Sequence, residues 1–293
     1  MKQVVILSGK GGTGKTSVAA SLGHLASQDV SIVLADADVD AANLELVLAP
    51  KEMEQHTFSG GKEAIILPEL CTACGRCLQA CRFDAVLNEN GVYRVDPIGC
   101  EGCASCFYQC PAGAIEMQDC ASGLWFRSET RFGPLFHAHL YPGQENSGKL
   151  VSMVRQQASV WAAEHGADHV IIDGPPGIGC PVIAASGGVH LALLVAEPTV
   201  PGVHDLERVL ATTEHFRIPA AVVVNKFDIN LEQTAKIAAF CRSREIPLVA
   251  CLPFDTVVTE AMVQGQPVTV FSEGAVSREL QRLWDALREM LAG

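Results

Sequence analysis

The chain has 293 residues, 48 % of them apolar, enough to bury a sizeable core in one or two domains. Its 21 basic and 33 acidic residues leave a net charge of −12, which argues against non-specific binding to nucleic acid or to anionic lipid. No apolar run approaches the ~18–20 residues that span a bilayer, and the stretch from Met1 to Ser8 lacks a signal-peptide pattern, so stable membrane insertion is not expected and the chain reads as cytoplasmic.

Residues 3–8 form a short apolar run that predicts a buried strand. The loop Gly9-Lys10-Gly11-Gly12-Thr13-Gly14-Lys15-Thr16 follows, with Ser17 opening a helix predicted to about residue 26. This is G-x4-G-K-T between a strand and a helix, the context a phosphate-binding loop requires. Glycines let the backbone wrap a polyphosphate while N–H groups and the helix N-terminus face the anion. Lys15 is placed to reach the β/γ-phosphates and Thr16 to hold Mg²⁺. The next strand, near 31–36, runs into an acidic loop holding Asp36, Asp38 and Asp40.

Eight of the twelve cysteines then fall between Cys71 and Cys110. They repeat one pattern, C-x2-C-x2-C-x3-C, as Cys71, Cys74, Cys77, Cys81 and again as Cys100, Cys103, Cys106, Cys110. The repeat offset of 29 residues also pairs Ala85-Val86 with Ala114-Ile115, so a segment and not only a motif is duplicated. In a reducing compartment such runs read as metal or cluster ligands and not as disulfides. Zinc also accepts four thiolates, but zinc ribbons use separated C-x2-C pairs. Each run resembles the bacterial ferredoxin motif for 4Fe–4S ligation, in which the fourth cysteine serves the other cluster. The second run has the usual proline, Pro111, and the first has Arg82 in its place. The resemblance implies one 4Fe–4S cluster on Cys71, Cys74, Cys77 and Cys110, and another on Cys81, Cys100, Cys103 and Cys106.

Beyond the block, Trp125–Arg131 and Leu135–Leu140 predict a hairpin around Gly133-Pro134. His137 and His139 share one face of it, a pattern more ordinary for a strand than for a metal site. Ser147, within Asn146-Ser147-Gly148-Lys149, is placed to cap a helix near 151–165. Strands near 168–173, 189–195, 220–224 and 247–252 alternate with helices near 203–216, 231–244 and 276–291. That alternation predicts an α/β fold with a parallel sheet and helices on both faces. The last helix carries an apolar stripe through Val276, Leu280, Leu283, Trp284, Leu287 and Leu291, read as packing on its own domain and not on a membrane. Cys241 and Cys251 read as ordinary buried cysteines, and Cys180 follows a Gly/Pro-rich turn.

With its early lysine, the loop resembles the deviant Walker A motif of the MinD/ParA/Mrp/nitrogenase-iron-protein class of P-loop ATPases. The resemblance implies that Lys10 crosses an ATP-bridged homodimer to the partner's nucleotide, and that Gly11, Gly12, Thr13, Gly14, Lys15, Thr16 and Ser17 bind nucleotide. It identifies the acidic loop with the first switch, where Asp38 is favoured for catalysis and Mg²⁺. It identifies Val170–Gly177 with the Walker B and second-switch segment, where Asp173 lies near Mg²⁺. Asn225 and Lys226 stand where the class reads the base. Asn225-Lys226-Phe227-Asp228 also fits N-K-x-D, a guanine-reading pattern, with ATP favoured by the class.

The cysteine block interrupts the ATPase motifs, so it reads as an insertion: residues 1–61 and 120–293 as the ATPase domain, and 62–119 as a two-cluster ferredoxin domain. A segment that short usually needs staples such as its clusters. The expected activity is Mg²⁺-dependent ATP hydrolysis that couples a nucleotide switch to electron transfer through the clusters to a protein partner. The alternatives are a factor that assembles iron–sulfur or metal cofactors and, ranked below it, a positioning ATPase.

Overall fold

The computed structural model describes residues 1–142 and 147–292. Eleven strands occur among them: β1 (Lys2–Ser8), β2 (Ile32–Asp36), β3 (Lys51–Ile66), β4 (Val86–Glu89), β5 (Val92–Val95), β6 (Ile115–Thr130), β7 (Gly133–Leu140), β8 (His169–Pro176), β9 (Leu191–Ala196), β10 (Ala220–Asn225) and β11 (Leu248–Leu252). Nine of these form one sheet in the order β11-β10-β9-β1-β8-β2-β7-β6-β3.

The centre of the sheet is parallel. Val4 of β1 pairs with Ile171 of β8 on one side and with Leu191 of β9 on the other. β2 pairs parallel with both β8 and β7, and β10 with β9 and β11. Strands covered on both faces carry continuous apolar runs and not an alternating pattern, which is why Val4, Val5, Ile6 and Leu7 are all buried. The helices Lys15–Ser27 and Ala275–Ala292 pack with the sheet in one core that includes Ile6, Leu22, Leu34, Leu193, Leu280 and Trp284. The apolar stripe of the last helix is therefore covered by the chain's own core, and no helix among the described residues is long and apolar enough to cross a membrane.

The chain divides into two compact units. The first comprises Met1–His56, Trp125–His139 and residues 147–292; the second comprises Thr57–Leu124 with residues 140–142. The second unit extends about five residues beyond each end of the 62–119 block read from sequence. Both edges of that block lie within strands. Ser59-Gly60-Gly61-Lys62 lies inside β3, and Asp119–Gly123 lies inside β6, so the predicted hairpin starts at Ile115 and not at Trp125. The first residues of β3 are exposed and show no apolar alternation, so pattern reading could not find the strand. At Gly60 a Cβ would lie 2.9 Å from the Ser122 Oγ, so a larger residue would displace that side chain.

Within the second unit, β4 and β5 form an antiparallel hairpin whose turn, Asn90-Gly91, has both φ values positive, at 54° and 89°. Two short helices, Arg76–Ala80 and Ser105–Gln109, carry the third cysteine of each run. Its core is small: Ala64, Ile66, Cys77, Val86, Cys106 and Ile115, with Cys71, Cys81, Cys100 and Cys110 packed against it. Cysteines supply much of this core, so a group bound to their sulfurs would also help to hold the unit together.

Candidate functional site

The phosphate-loop residues leave β1 at the end of the parallel sheet where β8 and β9 flank it. In open α/β sheets ligands bind beyond the carboxyl ends of the strands, at such a position. Gly12 and Gly14 have φ of 79° and 92°, which side chains rarely adopt. At Gly14 a Cβ would also stand 2.3 Å from Asn225 Nδ2. The Asn225 amide donates to the Thr13 carbonyl at 2.8 Å, and its Oδ1 accepts from the Lys226 N–H. Asn225, assigned by resemblance to the base, thus ties the last strand-end residue to the loop. Lys15 and Thr13 are buried, and the Thr13 hydroxyl has no hydrogen-bond partner. A buried hydroxyl without a partner beside a glycine loop would be satisfied by an anion bound there. The Ser17 hydroxyl meets Met262 Sδ at 3.4 Å.

Two acids lie side by side on neighbouring strands, and Asp173 faces this loop through Thr16 and Lys15. Asp36 and Asp173 are register partners on β2 and β8, and both are buried. Their settings differ. Asp36 accepts from the N–H groups of Asp38, Asn43 and Leu44 at 3.0, 3.1 and 2.9 Å, so it shapes the acidic loop. Burial, and then Asp173, push its pKa well up. Asp173 has no hydrogen bond of normal length to either oxygen. Burial raises it to about 6, although the Thr16 hydroxyl and the Lys15 ammonium pull the other way. An unpartnered buried carboxylate beside Thr16 is a fitting place for Mg²⁺, which takes one or two carboxylates and phosphate oxygens. Asp38 is raised by burial and lowered by Lys15, so it faces the same cation.

Lys10 lies within the site but is held by its own chain. Its ammonium stands 3.1 Å from Glu197 Oε2 and 3.4 Å from Thr199 Oγ1. Lys226 takes the other oxygen of Glu197 at 2.7 Å and approaches the Gly12 carbonyl at 3.5 Å. Glu197 therefore bridges the two lysines, and they keep its pKa low against burial. Sequence reading missed Glu197, yet it follows the apolar run of β9 directly, as Asp173 ends another. Asp228 accepts from the Phe254 N–H at 2.7 Å through Oδ1, so the guanine-reading acid of N-K-x-D is engaged by backbone.

The eight clustered cysteines line two cavities. Cys71, Cys74, Cys77 and Cys110 line one, and Cys81, Cys100, Cys103 and Cys106 line the other. The fourth cysteine of each run lies with the first three of the other. Burial pushes the Cys77 and Cys106 thiols up, which favours their neutral form unless a cation is bound. The Ser105 hydroxyl lowers Cys103, and the Ala114 N–H donates to Cys110 Sγ at 3.3 Å. Gly102, at φ 62°, permits the second cavity: a Cβ would stand 2.1 Å from the Lys62 carbonyl.

Of the remaining residues, Cys180 is exposed at the start of the helix Cys180–Ser186, and Cys241 is buried. Asn146 lies outside the described residues, and Ser147 opens the helix Ser147–Glu164. His137 and His139 lie together on β7 against Glu45, and burial with the His139 charge pushes His137 down to about 4.

Comparison with known proteins places these features in a family. Residues 4–268 match the CobQ/CobB/MinD/ParA nucleotide binding domain, CbiA. An uncharacterized protein of Methanocaldococcus jannaschii is 34 % identical over 290 residues, 99 % of this chain and 97 % of its own. The septum site-determining protein MinD of Bacillus subtilis is 25 % identical over 91 % of this chain and 81 % of its own. The solved structure of the septum site-determining protein MinD with Mg-ADP from Pyrococcus horikoshii superposes with a TM-score of 0.63 at 19 % identity, covering 100 % of this chain and 97 % of that one. This chain belongs to the CobQ/CobB/MinD/ParA nucleotide-binding family of P-loop ATPases.

Proposed function

We propose that this chain is an ATP-switched iron–sulfur protein, in which a MinD/ParA-type ATPase carries an inserted unit with two 4Fe–4S sites. The observation that carries the reading is the crossed sorting of eight cysteines into two four-thiol cavities. Three supporting features belong to the ATPase half. The glycine loop leaves a buried hydroxyl unpartnered at Thr13, Asp173 leaves two carboxylate oxygens unpartnered beside Thr16, and Lys15 is buried beside the charges of Asp173 and Asp38. ATP with Mg²⁺ fits that donor set.

The residues of this chain then have distinct tasks. Lys15 and the loop N–H groups bind phosphate. Thr16 and Asp173 would hold Mg²⁺, and Asp38, next to Lys15, would serve its hydration shell or the attacking water. Lys10 leaves Glu197 to reach a partner's nucleotide in an ATP-bridged homodimer, and Lys226 keeps Glu197 in place when it does. Bound clusters supply one-electron redox chemistry. Their potentials respond to hydrogen bonds and exposure, which is where Ser105 beside Cys103 and the Ala114 N–H on Cys110 act. The partner is a redox or cofactor-assembly protein. The second reading, a positioning ATPase, is favoured by the likeness to septum site-determining MinD proteins.

Electron paramagnetic resonance titration of the anaerobic protein, with and without ATP, separates the two. A potential or spectrum that moves with nucleotide supports the coupled reading. Metal analysis of the same anaerobic protein that finds stoichiometric zinc with little iron overturns the clusters and leaves a nucleotide switch alone.

A further inference from the structure

A cluster of titratable groups lies apart from both sites, within the first unit. Glu45 sits in the first turn of the short helix Leu44–Leu48. His137 and His139 project from one face of β7, two residues apart. Glu45 Oε2 is 3.1 Å from His137 Nδ1, and Glu45 Oε1 is 3.4 Å from His139 Nε2. One ligand atom from each of the three lies within 4.8 Å of the others.

Plain ion pairing leaves a feature of this group unexplained. His137 is only 4 % exposed, and its Nδ1 makes no hydrogen bond. The Glu45 oxygen beside it therefore stands off the axis along which that nitrogen donates or accepts. A buried ring nitrogen without a partner is costly. Its opposite nitrogen is satisfied: Nε2 is 2.9 Å from the Ser128 hydroxyl. Phe126 stacks on the His137 ring at 5.0 Å and meets the His139 ring edge-on at 5.4 Å, so both rings are held in orientation.

The spacing suits a bound cation. Nitrogen and oxygen ligands lie about 2.0–2.2 Å from zinc, so two of them at the tetrahedral angle are about 3.3–3.6 Å apart. The observed 3.4 Å lies within that range and the 3.1 Å lies just below it, where a bound ion would move the two ligands apart by a few tenths of an ångström. Metal-bound histidines usually have their other ring nitrogen fixed by a polar group, the position Ser128 occupies. Two imidazoles and a carboxylate select divalent first-row transition metals over Mg²⁺ and Ca²⁺, which prefer all-oxygen sets. We propose that Glu45, His137 and His139 form a binding site for a divalent transition-metal ion, with Ser128 orienting His137.

Three protein ligands leave a coordination position open, and the partly exposed Glu45 and His139 side chains put it within reach of solvent. The site is also joined to the acidic loop. Leu44 and Asn43, next to Glu45, donate their N–H groups to Asp36. A bound ion would thereby tie β7 to the helix that ends the loop carrying Asp38.

Cobalt(II) titration of the full chain under anaerobic conditions tests the site. Cobalt on cysteines gives near-ultraviolet thiolate charge transfer, whereas cobalt on two histidines and a carboxylate gives visible ligand-field absorption without it. One cobalt per chain of the second kind is expected. His139→Gln and Glu45→Gln should each weaken that binding at least about 100-fold, and Ser128→Ala by about 10–100-fold as an orienting group. Nucleotide binding by the variants serves as the check that they fold. Wild-type protein with thiolate-bound cobalt only, or folded variants that keep the wild-type visible band, would overturn the proposal.

Discussion

Lys10 and Lys15 belong to one loop but meet different surroundings. Lys15 is buried beside Asp38 and Asp173, whereas Lys10 is partly exposed and paired with Glu197. Their substitutions should therefore separate binding from turnover. Lys15→Ala removes a charge-assisted phosphate contact worth about 1.5–3 kcal/mol, so ATP affinity by calorimetry should fall at least about tenfold and up to about 100-fold. Lys10→Ala should leave affinity within about threefold and abolish hydrolysis; unchanged hydrolysis would refute the crossing lysine. Asp173 adds a pH dependence. Its folded pKa, about 6, lies above the ordinary carboxylate value. Between that ordinary value and 6 the folded state holds the proton more tightly, so its raised pKa favours the apo fold at low pH and the benefit is lost as pH rises through 6. Mg²⁺ needs the ionised form, so Mg²⁺ affinity should fall about tenfold per pH unit below about 6. A flat profile from pH 5 to 7 would remove Asp173 from the Mg²⁺ site.

Several turns in this chain are held open by residues without side chains, and their substitution tests the elements they join. Gly14 starts the helix Lys15–Ser27 with φ 92° and abuts Asn225. Gly102 brings the second cysteine run against β3, where a Cβ would collide with the Lys62 carbonyl. Gly102→Ala should cost about 2–3 kcal/mol through the strained conformation and the clash. Iron retained after gel filtration should drop for the second cavity, while ATP binding persists. Equal loss of both activities would mean that the cysteine unit and the ATPase unit unfold together. The last helix needs no such device: its stripe, Val276 to Leu291, is covered by the core, and Trp284 reaches Asp29 through Nε1 at 3.4 Å.

The ATPase fold and the cysteine unit together predict composition and assembly. Anaerobic protein should contain about eight irons per chain if both cavities hold 4Fe–4S clusters. Sedimentation with ATP and Mg²⁺ should give a dimer, and Lys15→Ala should remain a monomer at the same concentration. In the proposed dimer Lys10 leaves Glu197, so Glu197→Gln should lower the ATP concentration at which it forms. A dimer that forms equally without nucleotide would detach the switch from assembly.

The phosphate loop and both cysteine runs were legible because their groups are neighbours in the chain. A loop between a strand and a helix brings its N–H groups together by local geometry, and C-x2-C-x2-C turns three thiols toward one point without help from elsewhere. The alternation of apolar runs likewise announced the parallel sheet, because strands buried on both faces must be apolar throughout. Other features depend on strand order. β7 pairs with β2, and the helix Leu44–Leu48 follows the loop that leaves β2, so His137 and His139 meet Glu45 from far along the chain. The order β8-β1-β9 sets Asp173 and Glu197 on either side of one loop. The division of labour between Asp36 and Asp38 depends on which backbone N–H groups the fold returns to each carboxylate. β3 and the start of β6 carry too little apolar alternation to be read, and pairing at the sheet edge makes them strands. Short-range spacing therefore set which groups of the loop and of each cysteine run lie together, while long-range pairing determined which of its acids and histidines face each other. Side chains distant in sequence acquire a common position only through the sheet.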